Sequence, residues 1–458
     1  MSAQLSHADD EFALRHGLST RAGSSNDREI PWRIVHWASL VAVFVLVVVI
    51  ARHRWFVTDE WDLWAARAVT GKARYGMLGP HEGHLIVVPI LVGRAMFAVF
   101  GLRHVVPYLV VLGLAHVALG AALWGLCRDA GVSAPVAACG IAAFLLNGAA
   151  GENLVFPYQA TIVFSLALVV VAVRHFGRGP RWTRGDAVAL CAVVVASAMY
   201  GVGPIGAGTL VLLGLLRRRW RVGLLAGGVP LLLYALWALA FEGTTPNPRR
   251  PPSLVHVIPR LPRHVVETFA RSAGAVVDST SLGAVLVVLG LAGLCVVAWS
   301  SGLRRPVDAV VVLVVAAAAV AVAVAISSGP ITTTRDFFGH RVRVVPSHSV
   351  HETLALCLPA LLVVVDRALR RVKAATIPIV VVAATAAIVG NWSSWTGQAR
   401  TWERAGATVK REVAALQAHP SSSNAPVDRI LAPYLRRSDV ARLTRSGALP
   451  GLPAPPSP

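Results

Sequence analysis

The chain has 458 residues, of which 55% are hydrophobic and only 14% are charged, and its formal net charge is +20. About a quarter of the residues of a soluble globular protein are charged, so this composition excludes an ordinary soluble enzyme. In a soluble protein a net charge of +20 would suggest a nucleic-acid partner, but here the arginines gather in short loops between long apolar runs. We therefore predict an all-α, polytopic membrane protein that contacts membrane lipids and binds no nucleic acid.

A polar tail of mixed charge occupies residues 1–32, and a series of apolar runs follows it. The first run is too long, and begins too far from the N-terminus, for a cleavable signal peptide, so it predicts a membrane anchor. A helix that crosses a bilayer needs roughly 20 residues, so several of the later runs are short for straight spans. The runs lie at about residues 33–51, 85–101, 105–127, 136–150, 158–175, 187–200, 203–216, 222–241, 282–300, 307–327, 353–366 and 374–391.

Clusters of arginine between the runs predict the orientation of the helices, because short cytoplasmic loops are enriched in basic residues. The basic loops around Arg178, Arg219, Arg304 and Arg370 are mutually consistent if they all lie in the cytoplasm, together with the N-terminal tail. This orientation places on the outer side the loops 52–104, 150–158, 242–281 and 328–352 and a short tail, residues 392–458, which we predict to be partly disordered.

One apolar run near the N-terminus is not expected to cross the membrane. Asp59 follows the first span and Glu152 follows a later one, and the basic loops place both acids outside. Three runs lie between them, and an odd number of crossings cannot connect two points on one side. The run 85–101 is the shortest credible span among the three and carries a proline and an arginine, so we predict that it is a juxtamembrane helix at the outer interface. About eleven transmembrane helices then remain within residues 33–391.

The stretch from Trp55 to Arg94 carries a dense group of ionisable side chains at the edge of the first span. It begins with Asp59, Glu60 and Asp62 in the segment TDEWDLW. Acids beside a hydrophobic span are unfavourable near lipid, which makes Asp59 and Glu60 catalytic candidates and Asp62 a substrate-binding candidate. A carboxylate here could be the general base for transfer of a group to a hydroxyl. The alternative is that one of these acids only caps a short helix.

Histidines form two further groups outside the predicted spans. His81, Glu82 and His84 lie in HEGHL, and His348 and His351 lie in HSVHE. We interpret all five as substrate-binding candidates; the alternative is contact with solvent or lipid headgroups. Imidazole and carboxylate groups also bind divalent metals, but the spacing in HEGH is not that of the HExxH motif. We therefore assign no metal ligand and leave a divalent metal open.

Three arginines, Arg335, Arg341 and Arg343, lie in the predicted external loop 328–352. The positive-inside rule predicts few basic residues there. Arginine is the usual bidentate partner of a phosphate, so we consider all three as candidates to bind the phosphate of a donor. Contact with anionic lipid headgroups explains the same residues equally well.

A second predicted external turn, GENLVFPYQ, carries Glu152, Asn153 and Gln159. Glu152 could be a second acid of the site, with Asn153 and Gln159 as neighbouring substrate-binding groups. The alternative is an ordinary polar turn between two helices, because asparagine and glycine favour turns for local reasons.

The order of these elements resembles that of the GT-C superfamily of membrane glycosyltransferases, which use lipid-phosphate-linked sugars on the outer face of the membrane. The shared order is a first helix, a loop that opens with TDEWDLW, a juxtamembrane segment, two spans and then the turn GENLVFPYQ. The resemblance covers roughly residues 33–240 in layout and is specific only in the acidic loop. It implies that Asp59 or Glu60 is the catalytic acid of the first loop and that Glu152 is the acid of the second. The chain departs from the family in having a single acid in the second loop and a short tail.

Two functions of different classes remain. The first is transfer of a sugar from a polyprenyl-phosphate donor to an extracytoplasmic envelope acceptor by a multi-pass enzyme of the plasma membrane, with its active site facing outside. The second is a lipid or glycolipid transporter or flippase, or a non-catalytic membrane scaffold. A transporter is expected to place ionisable residues at the middle of the membrane. The spans beyond residue 280 are almost purely valine, alanine and leucine, which favours the enzyme.

Overall fold

Helices make up almost all of the secondary structure, which confirms the predicted all-α, polytopic membrane fold. Within the described residues, the only β-structure is two small two-stranded sheets and one isolated bridge. The computed structural model describes residues 22–66, 76–148, 151–241, 258–277, 280–301, 307–328, 333–335, 341–343 and 347–452.

Helices pack both against their chain neighbours and against helices further along the chain, such as Ala22–Ala51 against Val106–Asp129, and Val106–Asp129 against Ala160–His175. In the first half the helices are Ala22–Ala51, Val87–Phe100, Val106–Asp129, Ala134–Leu145, Glu152–Val155, Ala160–His175, Arg184–Ser197, Val202–Leu216, Trp220–Gly223 and Val229–Ala240, with π-helices at Trp61–Ala66 and Leu224–Gly228. In the second half they are Leu261–Val277, Thr280–Ser301, Val307–Ser328, Ser347–Leu369, Thr376–Gly390, Trp392–Ala418 and Arg437–Arg445. Three 3₁₀ turns lie at Pro157–Gln159, Ile258–Arg260 and Arg370–Ala375.

Among the described residues, 6 helical stretches are long and apolar enough to cross a membrane. Several further apolar helices are shorter, so the total of about eleven spans stays a prediction. The six stretches are Glu29–Ala51, Val106–Asp129, Pro157–His175, Trp220–Ala240, Val307–Ile326 and Thr376–Ala418.

Ion pairs tie helices together at the ends that the sequence places in the cytoplasm. Arg217 Nε lies 2.6 Å from Asp308 Oδ2, and Arg219 makes two hydrogen bonds of 2.9 Å with the carboxylate of Asp186. Both arginines belong to one of the basic loops that predict the orientation. The loop charges therefore also join helices that are distant in sequence, through charge-assisted hydrogen bonds.

The short helix Val87–Phe100 lies between two other parts of the chain. Near its start, Val88 N–H donates to Ala198 O across 3.1 Å, in the turn after the helix Arg184–Ser197. Just after its end, Leu102 N–H donates to Ala448 O across 2.9 Å, in the C-terminal segment. That this run lies along the membrane without crossing it stays a prediction.

Residues 392–452 form a small folded unit, which we call the C-terminal subdomain. The sequence predicts a helix near 400–417, where the structure has the helix Trp392–Ala418; the end GLPAPPSP, which is predicted to be disordered, lies mostly outside the described residues. After the helix Trp392–Ala418, strand β3 (Pro426–Asp428) pairs antiparallel with strand β4 (Ala432–Arg436), and the helix Arg437–Arg445 follows. The unit holds its order because apolar side chains from all of these elements are buried in it: Val409, Val413, Val427, Leu435, Val440 and Leu443.

The predicted external loop 328–352 contains a hairpin and the start of a helix. Strand β1 (Thr333–Arg335) pairs antiparallel with strand β2 (Arg341–Arg343), and the register sets Arg335 opposite Arg341. The helix Ser347–Leu369 begins inside the predicted loop. His351 therefore lies in the first turns of a helix.

Candidate functional site

Glu60 is buried in an ion pair at the start of the loop that follows the first helix. Its Oε2 accepts hydrogen bonds from the guanidinium of Arg54 and, across 2.9 Å, from Val57 N–H. Arg54 also donates to Val155 O across 2.7 Å, so the pair holds this loop to the second acidic turn. Burial raises the pKa of Glu60 to about 7, and Arg54 opposes the rise. Of the two adjacent acids, Glu60 is thus engaged by Arg54, and Asp59 is the one that faces the histidine.

His81 lies between two acids. Its Nδ1–H donates to Asp62 Oδ2 across 2.6 Å, and its Nε2 lies 3.9 Å from Asp59 Oδ1. The side chains of His81 and Asp62 are 2% and 1% exposed, whereas that of Asp59 is 25% exposed. A carboxylate on one ring nitrogen fixes the orientation of an imidazole and directs the other nitrogen outward. Asp59 is therefore the acid of this group that a substrate can reach.

The pKa values at this position follow from burial and from neighbouring charges. Burial raises the pKa of Asp59 to about 7; His81 opposes the rise, and the negative charges of Glu82, Asp62 and Glu152 add to it. Burial lowers the pKa of His81, but the hydrogen bond and the charge of Asp62 outweigh burial and leave the pKa raised. A carboxylate with a pKa near neutrality is well matched to proton transfer at neutral pH.

The HEGH segment is a tight turn that presents its two histidines differently. His81 N–H donates to His84 O across 3.0 Å, and His84 N–H donates to His81 O across 2.8 Å. Between them Glu82 and Gly83 have φ values of +48° and +84°, as in the two-residue turns of β-hairpins. The ring of His84 packs on Tyr200 at a centroid distance of 4.3 Å. His81 alone is directed at the acids, and Glu82 is exposed at the tip of the turn.

Two tyrosines that the sequence analysis does not name as site residues flank His81. The ring centroids of Tyr158 and Tyr434 lie 5.2 Å and 5.6 Å from that of His81. Tyr158 belongs to the GENLVFPYQ turn, and its position close to Glu152 in the sequence could have indicated a site residue. Tyr434 lies in strand β4 of the C-terminal subdomain, and nothing in the sequence around it indicates a functional site. Aromatic rings beside acids are typical of surfaces that bind sugar rings and apolar faces.

The second acidic turn contributes one charge to the environment of Asp59. Glu152 opens a single-turn helix, and its negative charge helps to raise the pKa of Asp59. Asn153 is buried, and its backbone oxygen accepts a hydrogen bond from His116 Nε2–H across 2.7 Å. Gln159 is buried in the following 3₁₀ turn. The structure thus brings Glu152 into electrostatic reach of Asp59 and buries both amides.

The later group of predicted site residues is only partly described. The ring of His351 stacks on Phe144 at 4.8 Å and meets His116 edge-on at 5.6 Å, so its ring contacts are with neighbouring helices. Glu352, the next residue, is buried. The side chains of four further candidates lie outside the described part of the structure: Arg335, Arg341, Arg343 and His348.

Asp59, His81 and Glu82 could together hold a divalent cation. Each offers one ligand atom, and these atoms lie within 4.8 Å of one another. Within the described residues, His81 Nε2 is buried and has no hydrogen-bond partner, as expected for a nitrogen that is available to a metal. Two carboxylates and one imidazole suit several divalent ions. The residue types and their spacing fit a divalent cation.

Comparison with known proteins identifies the fold. No protein-family model and no curated protein matches the sequence. Among solved structures, ArnT from Cupriavidus metallidurans in the apo state is 15% identical, covers 87% of this chain and 82% of its own, and superposes with a TM-score of 0.51. The structure of the same protein bound to undecaprenyl phosphate is 14% identical, with 86% of this chain and 82% of that chain covered and a TM-score of 0.49. A third structure is the archaeal oligosaccharyltransferase AglB from Archaeoglobus fulgidus in complex with an inhibitory peptide and a dolichol-phosphate. It is 12% identical, with 92% of this chain and 60% of that chain covered and a TM-score of 0.48.

Proposed function

The chain has the fold of the GT-C membrane glycosyltransferases, as the sequence resemblance predicts, and from this premise we propose that it transfers a sugar from a polyprenyl-phosphate donor to an extracytoplasmic envelope acceptor. The protein is then a multi-pass enzyme of the plasma membrane whose active site faces outside. One observation carries the proposal: Asp59 is partly exposed at the mouth of a group in which Asp62 and His81 are buried.

The proposed reaction uses Asp59 as a general base. Asp59 accepts the proton of an acceptor hydroxyl while the hydroxyl oxygen forms a bond to the anomeric carbon of the sugar. The bond from that carbon to the phosphate oxygen breaks, and polyprenyl phosphate leaves with the electron pair. One carboxylate is enough for such a displacement with inversion, because the acceptor attacks from the face opposite the leaving group. The pKa of Asp59, raised to about 7, suits this role.

His81 and Asp62 form the buried side of the site next to Asp59. His81 is fixed by the 2.6 Å hydrogen bond to Asp62, and its Nε2 faces Asp59. A divalent cation, if bound by Asp59, His81 and Glu82, would supply positive charge on this side of the site. The general-base role of Asp59 belongs to the state without a cation, and Glu82 lies at the exposed edge of the site.

We place the donor phosphate at the β1–β2 hairpin. The register puts Arg335 directly across from Arg341, with Arg343 two positions further along β2. Arginine is the usual partner of a phosphate through charge-assisted hydrogen bonds, and three arginines within two paired strands would supply them. Anionic lipid headgroups remain the competing occupant.

A transporter or flippase remains the alternative, and one observation favours it. His116 and His351 are buried inside the helix bundle, edge to face at 5.6 Å. Ionisable residues inside a membrane bundle often mark a transport path. The enzyme is preferred because Asp59, Asp62, His81 and Glu82 form one group in which Asp59 is partly exposed, and only such a group offers a carboxylate to a substrate.

The experiment measures release of polyprenyl phosphate by the purified protein in lipid vesicles. The substrates are undecaprenyl-phosphate-linked pentoses and hexoses, and a bacterial envelope extract supplies the acceptor hydroxyl, so that the released polyprenyl phosphate can be measured without first identifying the acceptor. We expect release from at least one donor and its loss in Asp59→Asn, while Glu403→Gln, an exposed acid of the C-terminal subdomain, stays active. Movement of a labelled donor across the bilayer without release would contradict the enzyme and support the transporter.

A further inference from the structure

The C-terminal subdomain packs directly against the loop that carries Asp59. A Cβ atom at Gly406 would lie 2.6 Å from Trp55 N, so only glycine permits this approach of two backbones. The ring of Trp402 stacks on Phe156 at a centroid distance of 5.1 Å with an interplanar angle of 4°. The subdomain is thus seated on both acidic segments at once.

The residue before Asp59 is held by a backbone bond from this subdomain. Thr58 has a φ of +48°, a conformation that β-branched residues rarely adopt. Its N–H donates to Leu431 O across 2.6 Å, in the loop between β3 and β4. An unfavourable backbone conformation persists only where surrounding contacts fix it. The Leu431 carbonyl is one such contact, and it acts one residue away from the proposed base.

The Leu431 carbonyl is placed in turn by the side chain of Asp428. Asp428 Oδ1 accepts hydrogen bonds from Ile430 N–H across 2.6 Å and from Leu431 N–H across 2.7 Å. An aspartate that accepts from the backbone two and three residues ahead shapes a tight turn. A continuous set of hydrogen bonds therefore runs from Asp428 through Leu431 to Thr58.

A second contact of the same hairpin reaches the site. Tyr434, three residues after Leu431, lies with its ring 5.6 Å from that of His81. The turn made by Asp428 thus lies directly before two contacts with the proposed site, one from Leu431, which precedes β4, and one from Tyr434 within β4.

We propose that Asp428 is a positioning residue for Asp59, acting through Leu431 and Thr58 without touching substrate. This inference rests on the proposed function, in which Asp59 is the general base. Loss of the turn lets the Thr58 backbone relax and moves the Asp59 carboxylate off the acceptor hydroxyl. Displacement of a catalytic group lowers the rate of the chemical step and leaves donor binding in place.

Three variants test the proposal kinetically. We expect Asp428→Ala to lower kcat by roughly tenfold to a hundredfold with an unchanged KM for the undecaprenyl-phosphate-linked donor. Asp428→Asn keeps an Oδ1 acceptor and should restore most of the rate. Ser423→Ala is the matched control, because Ser423 Oγ makes a similar bond of 3.2 Å to Ala425 N–H in the same subdomain. A normal kcat in Asp428→Ala, or equal losses in Asp428→Ala and Asp428→Asn, would overturn the proposal.

Hydrogen exchange separates this inference from the proposed function. In Asp428→Ala the peptide that contains Thr58 should exchange faster, because its N–H loses a fixed acceptor, while the helix Trp392–Ala418 keeps its protection. Unchanged exchange at Thr58 would overturn the positioning role, and so would a general loss of protection in that helix. This measurement needs no sugar transfer, so an inactive wild-type protein would overturn only the proposed function.

Discussion

The imidazole of His81 donates its Nδ1–H to Asp62 Oδ2 across 2.6 Å, and both side chains are almost completely buried. A buried histidine beside a buried carboxylate needs this bond, because either group alone would be an uncompensated polar group. The bond leaves Nε2 as the ring atom that faces Asp59. The arrangement therefore has a fixed interior part, with Asp59 partly exposed beside it and Glu82 exposed at the tip of the HEGH turn.

The first prediction concerns that carboxylate. Asp59→Asn should lower turnover by about 10²–10⁴-fold, the usual contribution of a general base. The variant should fold normally, because the side chains have the same shape and Asp59 is partly exposed. Release of undecaprenyl phosphate at saturating donor measures the effect, with Glu403→Gln as the control. Near-normal release by Asp59→Asn would remove the base from the proposed mechanism.

The second prediction separates Glu60 from its neighbour. Glu60→Gln leaves the buried guanidinium of Arg54 without its charged partner, and breaking such a pair costs about 3–5 kcal/mol of folding free energy. We expect a lower midpoint of thermal unfolding in detergent and little change in turnover of the folded fraction. The double variant Arg54→Met/Glu60→Leu should recover part of the stability. An unchanged midpoint with lost turnover would make Glu60 the catalytic acid instead.

The third prediction is a pH dependence. Asp59 must be deprotonated to act as a base, so turnover should rise as the pH increases through about 7. The negative charge of Glu82 raises the pKa of Asp59, so Glu82→Gln should lower this pKa and move the rising limb to lower pH. Glu403→Gln should leave the limb where it is. A shift to higher pH in Glu82→Gln would contradict the assignment of the limb to Asp59.

The fourth prediction tests the layout of the first loop. If the run 85–101 does not cross, residues 82 and 103 lie on the same, outer side. Glu82→Cys and Arg103→Cys, both at exposed positions, should react with an impermeant thiol reagent in intact cells. The background should lack Cys191 and Cys295, which are also exposed. Reaction at only one of the two engineered positions would require that the run crosses.

The fifth prediction concerns the donor phosphate. Arg341→Ala should weaken donor binding roughly tenfold to a hundredfold, the worth of one charge-assisted hydrogen bond, with little effect on the acceptor. Titration with undecaprenyl phosphate measures the change, and Arg400→Ala, at an exposed position on the C-terminal subdomain, is the control. If each of the three arginine variants binds the donor normally, the hairpin contacts lipid headgroups instead.

The sequence was informative where the signal is local. Asp59, Asp62, His81 and Glu82 lie close together in the chain beside an apolar run, and polar groups at that boundary are rare enough to stand out. Helical spacing favours Asp59 over Glu60 as the base, because Asp62 and Leu63 lie three and four residues after Asp59 and would share its face. The structural difference between the two acids depends on Arg54, whose pairing with Glu60 is set by packing and not by a pattern.

Contacts between distant parts of the chain escaped the sequence. Tyr434 lies in a short strand with no motif, and its approach to His81 depends on how the C-terminal subdomain seats on the first loop. His351 was predicted in a loop because HSVHE is polar. The helix that contains the apolar residues after it nevertheless begins at Ser347, so His351 is helical. The ring of His351 is therefore buried against Phe144.

The hydrogen bond between Thr58 and Leu431 has a consequence for biogenesis. Thr58 leaves the ribosome soon after the first hydrophobic helix. Leu431 leaves it only after Trp392–Ala418, the last described helix within the stretches that are long and apolar enough to cross a membrane. Every intervening helix must be inserted before these two residues can meet. We therefore expect nascent chains that stop short of β4 to carry Asp59 on a loop without this restraint, so that the proposed base is positioned only after synthesis has passed β4.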